Sequence, residues 1–134
     1  MTGNPRAAAV LPAFADGDLL ERLDSLDVGA FDGLDFGLVT MDPRGIVIAY
    51  NAAESAKSGL TPERVLGRHF YTEIGPCANN HLVAGRFDSA GRLDDQLDYT
   101  FTFRMRVRPV RLRLMAAAGG ERRYMAVQER STPR

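Results

Sequence analysis

From Leu97 to Val107 every second residue is apolar: Leu97, Tyr99, Phe101, Phe103, Met105 and Val107, with Asp98, Thr100, Thr102, Arg104 and Arg106 between them. A period of two over this length fits a half-buried β-strand and does not fit a helix, whose apolar stripe recurs every three to four residues. The phase then changes, because Val110, Leu112 and Leu114 are apolar while Arg111 and Arg113 are not. A change of phase on a period-two pattern requires a turn or a bulge. Arg108-Pro109 is the expected place for it.

The remaining strands follow from turn chemistry. Phe36–Met41 and Ile46–Tyr50 are β-rich and flank Asp42-Pro43-Arg44-Gly45. In that turn proline presets a central φ and aspartate can bond its own backbone, so a hairpin is expected. Gly119-Gly120 marks another turn before a last strand at Tyr124–Val127. Between the strand groups, Asn51 can cap a short helix through Ala52–Ala56. Thr61-Pro62 has the cap and first-turn proline of a second helix, which Gly67 would end. A further helical stretch is expected at Leu82–Phe87. Upstream, Leu19–Leu26 repeats its apolar residues at helical spacing, with Asp16 or Asp18 as its cap, and Asp27–Asp35 breaks the pattern. Residues 1–16, rich in Ala, Pro and Gly, read as a loose arm. Two strands, short helices and then three strands make an α+β domain with an antiparallel sheet flanked by short helices. The division is a residue 1–28 arm and helix, acting as a lid or output cap, and a 29–130 domain that carries the site.

A chain of 134 residues with 45% hydrophobic residues can bury a core without staples. No apolar run approaches the roughly 20 residues of a membrane span. The formal net charge is zero, which disfavours nucleic acid and membrane surfaces as partners. Of the 17 basic residues all but Lys57 are arginine. The single thiol, Cys77, cannot pair within the chain, so a reducing cytoplasm is expected. A lone cysteine is ordinarily a small buried hydrophobe. Here it follows Pro76, and a phenol and a carboxyl stand four apart upstream, at Tyr50 and Glu54. Thiol, phenol and carboxyl together are a sparse kit for holding and tuning a covalently attached small molecule.

Several segments, in order and spacing, resemble the photoactive yellow protein family, small blue-light receptors with the PAS fold. They are Asp32-Gly33-Leu34-Asp35-Phe36-Gly37, Tyr50-Asn51-Ala52-Ala53-Glu54, Val65-Leu66-Gly67-Arg68-His69-Phe70, Pro76-Cys77 and Tyr99-Thr100-Phe101. The resemblance runs from about Asp32 to Val127 and leaves out the N-terminal arm. It implies that Cys77 forms a thioester with 4-hydroxycinnamic acid (p-coumaric acid). It implies that Tyr50 and Glu54 hydrogen-bond the phenolate oxygen and that Ser58 supports Tyr50. Phe70, Val83 and Phe101 match apolar positions around the pigment or core, and Met105 matches a methionine linked to thermal return of the dark state.

Physical chemistry gives those roles content. A phenolate in a low-dielectric pocket is costly unless hydrogen-bonded. The Tyr50 hydroxyl and a protonated Glu54 would supply the bonds, and burial of Glu54 without a cation would favour the protonated form. Light would isomerise the trans double bond to cis, Glu54 would give up its proton, and the buried carboxylate would drive a conformational signal. The chain departs from the family pattern at Leu60, where an arginine often shields the pocket, and at Phe103, where a tyrosine is common. The segment between Phe87 and Tyr99 is about three residues shorter.

The expectation is thus a non-enzymatic photoreceptor with a small-molecule chromophore and a downstream signalling partner, as a monomer or weak dimer. Its rivals are a PAS-type ligand-binding or interaction module without pigment, and a cysteine enzyme using Cys77 with His69 or His81. The two histidines have an ordinary reading as surface or capping residues, and two ligands do not make a zinc site. Arg104, Arg106, Arg108, Arg111 and Arg113 would ordinarily be a solvated sheet face.

Overall fold

The computed structural model describes residues 10–88, 91–103 and 106–130. Five antiparallel strands form one sheet in the order β2-β1-β5-β4-β3. They are β1 (Gly37–Met41), β2 (Val47–Tyr50), β3 (Leu93–Phe103), β4 (Arg106–Ala116) and β5 (Arg123–Glu129). Three short α-helices accompany them: α1 (Leu19–Ser25), α2 (Ala52–Ser58) and α3 (Pro62–Val65). Single 3-10 turns occupy Val28–Gly33, Pro76–Ala78 and Ala84–Asp88, and Phe70–Ile74 forms one π-turn. This is the expected α+β architecture.

The alternation of strand side chains sends residues to two separate cores. On one face Val39, Met41, Tyr50, Leu112, Leu114, Met125 and Val127 pack under the helices and turns between β2 and β3. On the other face Leu38, Met115, Tyr124 and Ala126 pack with Leu19, Leu20 and Leu23 of α1 and with Phe14, Phe31 and Phe36. The arm is therefore docked from Leu11 onward rather than loose. Phe14 is buried, and its carbonyl and that of Asp16 both accept from Nη1 of Arg113, at 2.8 and 2.7 Å. Arg113 is itself buried and binds Asp94 through Nε and Nη2. The described part of the arm covers the second face of the sheet. Residues 1–9 lie outside the described residues.

The turn expected at Arg108-Pro109 is not there. β4 runs through both residues, with Arg108 opposite Phe101 and Pro109 opposite Thr100. The reversal lies between Phe103 and Arg106, which face each other. Partners in this ladder join an odd-numbered residue to an even-numbered one, such as Tyr99 to Val110 and Leu97 to Leu112, so the phase change is the signature of the hairpin itself. Val107 hid the true turn: it extends the apolar alternation in sequence yet is 71% exposed. Pro109 is tolerated because it lies just beyond the last β4–β5 pair, Val110 with Glu129. Three helical expectations also change. Leu82–Phe87 is a turn followed by the 3-10 segment Ala84–Asp88. Asp18 precedes α1 without a side-chain cap, and Asp16 instead accepts from the Ala13 N–H. Thr61 likewise precedes α3 without a side-chain cap bond.

Asn51 joins three elements where the site begins. Its Oδ1 accepts from Glu54 N, which caps α2, and from Leu38 N on β1, at 3.1 and 2.8 Å. Its Nδ2 donates to the carbonyls of Phe31 and Phe36, at 2.9 and 3.0 Å. All four bonds lie in the interior, where an unmatched polar group costs about 1–3 kcal/mol. Asn51→Ala removes the cap and orphans its partners. It is expected to lower unfolding stability by about 2–4 kcal/mol, read as the shift of a urea or guanidinium transition. A loss under about 0.5 kcal/mol, the size of an ordinary surface change, would contradict this role.

Candidate functional site

Helix α2 holds two of the candidate residues on one side because Glu54 and Ser58 are four apart. The Asn51 cap fixes where the helix starts, and the left-handed Gly59, φ 81°, ends it. Glu54 is 4% exposed and lies against the start of β1. A Cβ on Gly37 would collide with Glu54 Oε1 and crowd its Cα and Cβ, so only glycine lets the carboxyl lie there.

One pocket gathers Tyr50, Glu54, Ser58, Phe70, Cys77 and Phe101, six of the seven residues singled out from the sequence. The seventh, Met105, lies outside the described residues. Val83 is fully buried in the same core but is not part of the lining. The Tyr50 and Ser58 hydroxyls share a hydrogen bond of 2.8 Å, and the Leu60 N–H donates to Ser58 at 3.1 Å. Burial pushes the Tyr50 phenol well up from its ordinary value, and the nearby Glu54 charge adds to the effect. Val39, Leu60, Ile74 and Met125 complete the apolar wall. Leu60, one of the two departures from the family pattern, thus lines the pocket. Phe70 closes over Gly75, where a Cβ would fall 2.8 Å from the ring.

Cys77 is half-buried on the 3-10 turn Pro76–Ala78. Its carbonyl accepts from Tyr99 OH at 2.6 Å and from Asn80 Nδ2 at 3.1 Å, which ties the thiol-bearing turn to β3. Neither Tyr99 nor Asn80 was assigned this role from sequence: the Tyr99 contact joins residues 22 apart, while the Asn80 contact, three residues on, is local. His69 shares a bond with Thr72, and the described residues contain no cluster of three or more metal-binding side chains.

The expectation of a buried Glu54 without a cation is overturned. Arg108 reaches from β4 and donates Nη1 to Glu54 Oε2 and Nη2 to Oε1, at 2.8 and 2.9 Å. The same guanidinium donates Nε and Nη2 to Glu129 at the end of β5. Its carbon lies 5.8 Å from the centre of the Phe101 ring. Two parallel N–H···O bonds are the geometry of a guanidinium on a carboxylate. Burial pushes the Glu54 carboxyl up from its ordinary value, while the Arg108 bonds and charge oppose it and Glu129 adds to it. The two carboxylates hold Arg108 above its ordinary value against its own desolvation. Lys57 and Arg106 also border the pocket. In sequence Arg108 was one of five arginines in a strand, yet it is in phase with Val110, Leu112 and Leu114, which face the same core, and it pairs with Phe101.

Sheet order, flanking helices and pocket together define a PAS-type sensory domain. The photoactive yellow protein domain of the sensor histidine kinase Ppr from Rhodospirillum centenum superposes with a TM-score of 0.71 at 37% identity, covering 79% of this chain and 96% of that domain. Photoactive yellow protein from Rhodobacter capsulatus is 33% identical over 93 residues, 67% of this chain and 75% of the relative. That from Rhodothalassium salexigens is 29% identical over 118 residues, 86% of this chain and 94% of the relative. A PAS domain from Haloarcula marismortui shares the fold at 19% identity, with a TM-score of 0.59 over 82% of this chain and 98% of that one. No family model matches the sequence. The chain belongs to the photoactive yellow protein family. Among the described residues no helix is long and apolar enough to cross a membrane.

The glycine at the start of β1 gives a direct test of this geometry. Gly37→Ala forces Glu54 away from Arg108 and is expected to cost about 1–3 kcal/mol, the scale of overpacking. Chemical denaturation measures the loss, and a transition unchanged by the substitution would mean that Glu54 does not lie against β1.

Proposed function

We propose that the chain is a blue-light photoreceptor domain that carries 4-hydroxycinnamic acid as a thioester on Cys77. The observation that supports this most is that the only thiol opens onto the same pocket as Tyr50, Glu54 and Ser58. The residues suit the group in kind. A half-buried sulfur stands ready for acylation, apolar side chains form the walls, and a phenol, a hydroxyl and a carboxyl supply polar contacts. When bound, the group supplies a conjugated double bond that light isomerises and a phenolic oxygen that can ionise.

The chain supplies the rest. Tyr50 would turn its hydroxyl from Ser58 to the anionic oxygen, and Ser58 would remain as its support. Tyr99 and Asn80 hold the Cys77 carbonyl and so fix the direction from which the sulfur enters the pocket. Glu54 would donate when protonated. After isomerisation it would release that proton and remain as a buried carboxylate, a change of charge that the packing around α2 and β1 must answer. The response passes to a downstream signalling protein.

Incubation of the purified chain with activated 4-hydroxycinnamate is expected to give a visible band that bleaches under blue light and recovers. Mass spectrometry should show one acyl group on the protein and none on Cys77→Ala. A pigment retained by Cys77→Ala would remove the thioester. A colourless, unacylated protein would instead mark a PAS-type module for another ligand or partner. Glu54→Gln is expected to keep the adduct and move its band to longer wavelength, since an amide is a weaker donor to the ground-state phenolate. An unmoved band would place Glu54 away from the phenolate.

A further inference from the structure

We propose that Arg108 is a positioning residue of this pocket: its clamp on Glu54 decides whether the buried proton rests on Glu54 or on a ligand hydroxyl beside it. This rests on the functional reading above for the ligand, but the state of Glu54 itself is a property of the chain alone.

The argument begins with the bonds of one guanidinium. Both oxygens of Glu54 accept from Arg108, which leaves Glu54 an acceptor with no proton to offer. Glu54 is almost wholly buried, and the side chain of Arg108 is only 16% exposed, so solvent does little to screen the pair. For Glu54 to act as a donor it must take up a proton and Arg108 must release it. Arg108 has a place to go, because Glu129 already holds Nε and Nη2 on the other side. The structure thus contains one cation between two carboxylates, one lining the pocket and the other exposed at the end of β5. Tyr50 on β2 lies close enough to feel the Glu54 charge, and the other titratable side chains lining the pocket are Lys57 on α2, Cys77 and Arg106 on β4.

The consequence concerns one proton and two sites. With Arg108 on Glu54, the carboxylate is the favoured anion, and a phenolic ligand keeps its proton and donates it to Glu54. With Arg108 drawn to Glu129, Glu54 holds the proton and the ligand oxygen is the anion. The two arrangements contain the same number of protons, so what distinguishes them is the share of the adduct absorbing in the visible as the phenolate against the ultraviolet as the phenol. Arg108 favours the first arrangement, and Glu129 favours the second by competing for Arg108.

Two variants should therefore move the spectrum in opposite directions. In the acylated protein at pH 7, Arg108→Gln is expected to raise the ratio of visible to ultraviolet forms about tenfold or more, a change of about 1.4 kcal/mol. Glu129→Gln, which leaves Arg108 to Glu54 alone, is expected to lower it. An unchanged ratio in both variants, or a fall in Arg108→Gln, would overturn the proposal, the latter by making Arg108 the phenolate's own counterion. The unloaded protein gives a readout that needs no pigment. Infrared difference spectra against Glu54→Gln should show Glu54 as a carboxylate at pH 7 in the parent chain and as a protonated carboxyl in Arg108→Gln. A protonated carbonyl band in the parent chain, or none in Arg108→Gln, would overturn the proposal even if Cys77 takes up no acyl group. Failure to acylate, with these infrared bands as expected, would count against the photoreceptor reading and leave the Arg108 clamp standing.

Discussion

Asn51 is the residue on which the site depends. One side-chain amide takes two backbone donors and gives two hydrogens to backbone carbonyls, all in the interior. It thereby fixes the start of α2 to the start of β1 and to the 3-10 turn before it. Glu54 is in the first turn of that helix, and Gly37 opens that strand, so the carboxyl and the glycine it rests on are registered by the same amide. Without this joint a seven-residue helix could not hold a charged group in place, because so short a helix is marginal in isolation.

The second constraint is electrostatic. A carboxyl this deep needs a partner or a proton, and it has a partner in Arg108. The chain lacks an arginine at Leu60, and the cations at the pocket instead come from β4 and from Lys57. Charge balance is therefore carried mostly by the sheet rather than by the segment after α2. Glu129 makes the arrangement a shared one, since the same guanidinium serves an interior acid and a half-exposed one.

Much of this was legible in the residues. The period-two runs, Asp42-Pro43-Arg44-Gly45, Gly119-Gly120 and the Asn51 cap place strands and helices because each is a local preference that the fold does not oppose. Cys77, Tyr50 and Glu54 stood out by residue type, and the other pocket residues were legible only through the family resemblance that the short segments carry. What was hidden is long-range. The reversal between the paired Phe103 and Arg106 was masked by Val107, whose apolar side chain faces water, and no local rule reveals that. Arg108 looked like one more solvated arginine because its partner lies 54 residues away. The docking of Phe14 is held by Arg113 bonds between residues 99 and 97 apart. Periodicity reports which side of a strand faces a core, but not which charge finds which.

The β3–β4 hairpin reaches past the rest of the sheet. Among the described residues β5 pairs with β4 from Val110 to Ala116, one further bond joins Arg130 N to the Pro109 carbonyl, and residues 106–109 otherwise pair with β3. Phe101, Arg106 and Arg108 all line the pocket from this two-stranded overhang. A pair of strands without a third is far less rigid than the sheet that bears it. Among the described residues this wall is tied to β5 and its end by the Arg108–Glu129 contact and by Arg130, whose side chain donates to the carbonyls of Val110 and Tyr99. That wall is not separate from the core, because Phe101 and Tyr99 on the same strand pack against the residues beneath the pocket.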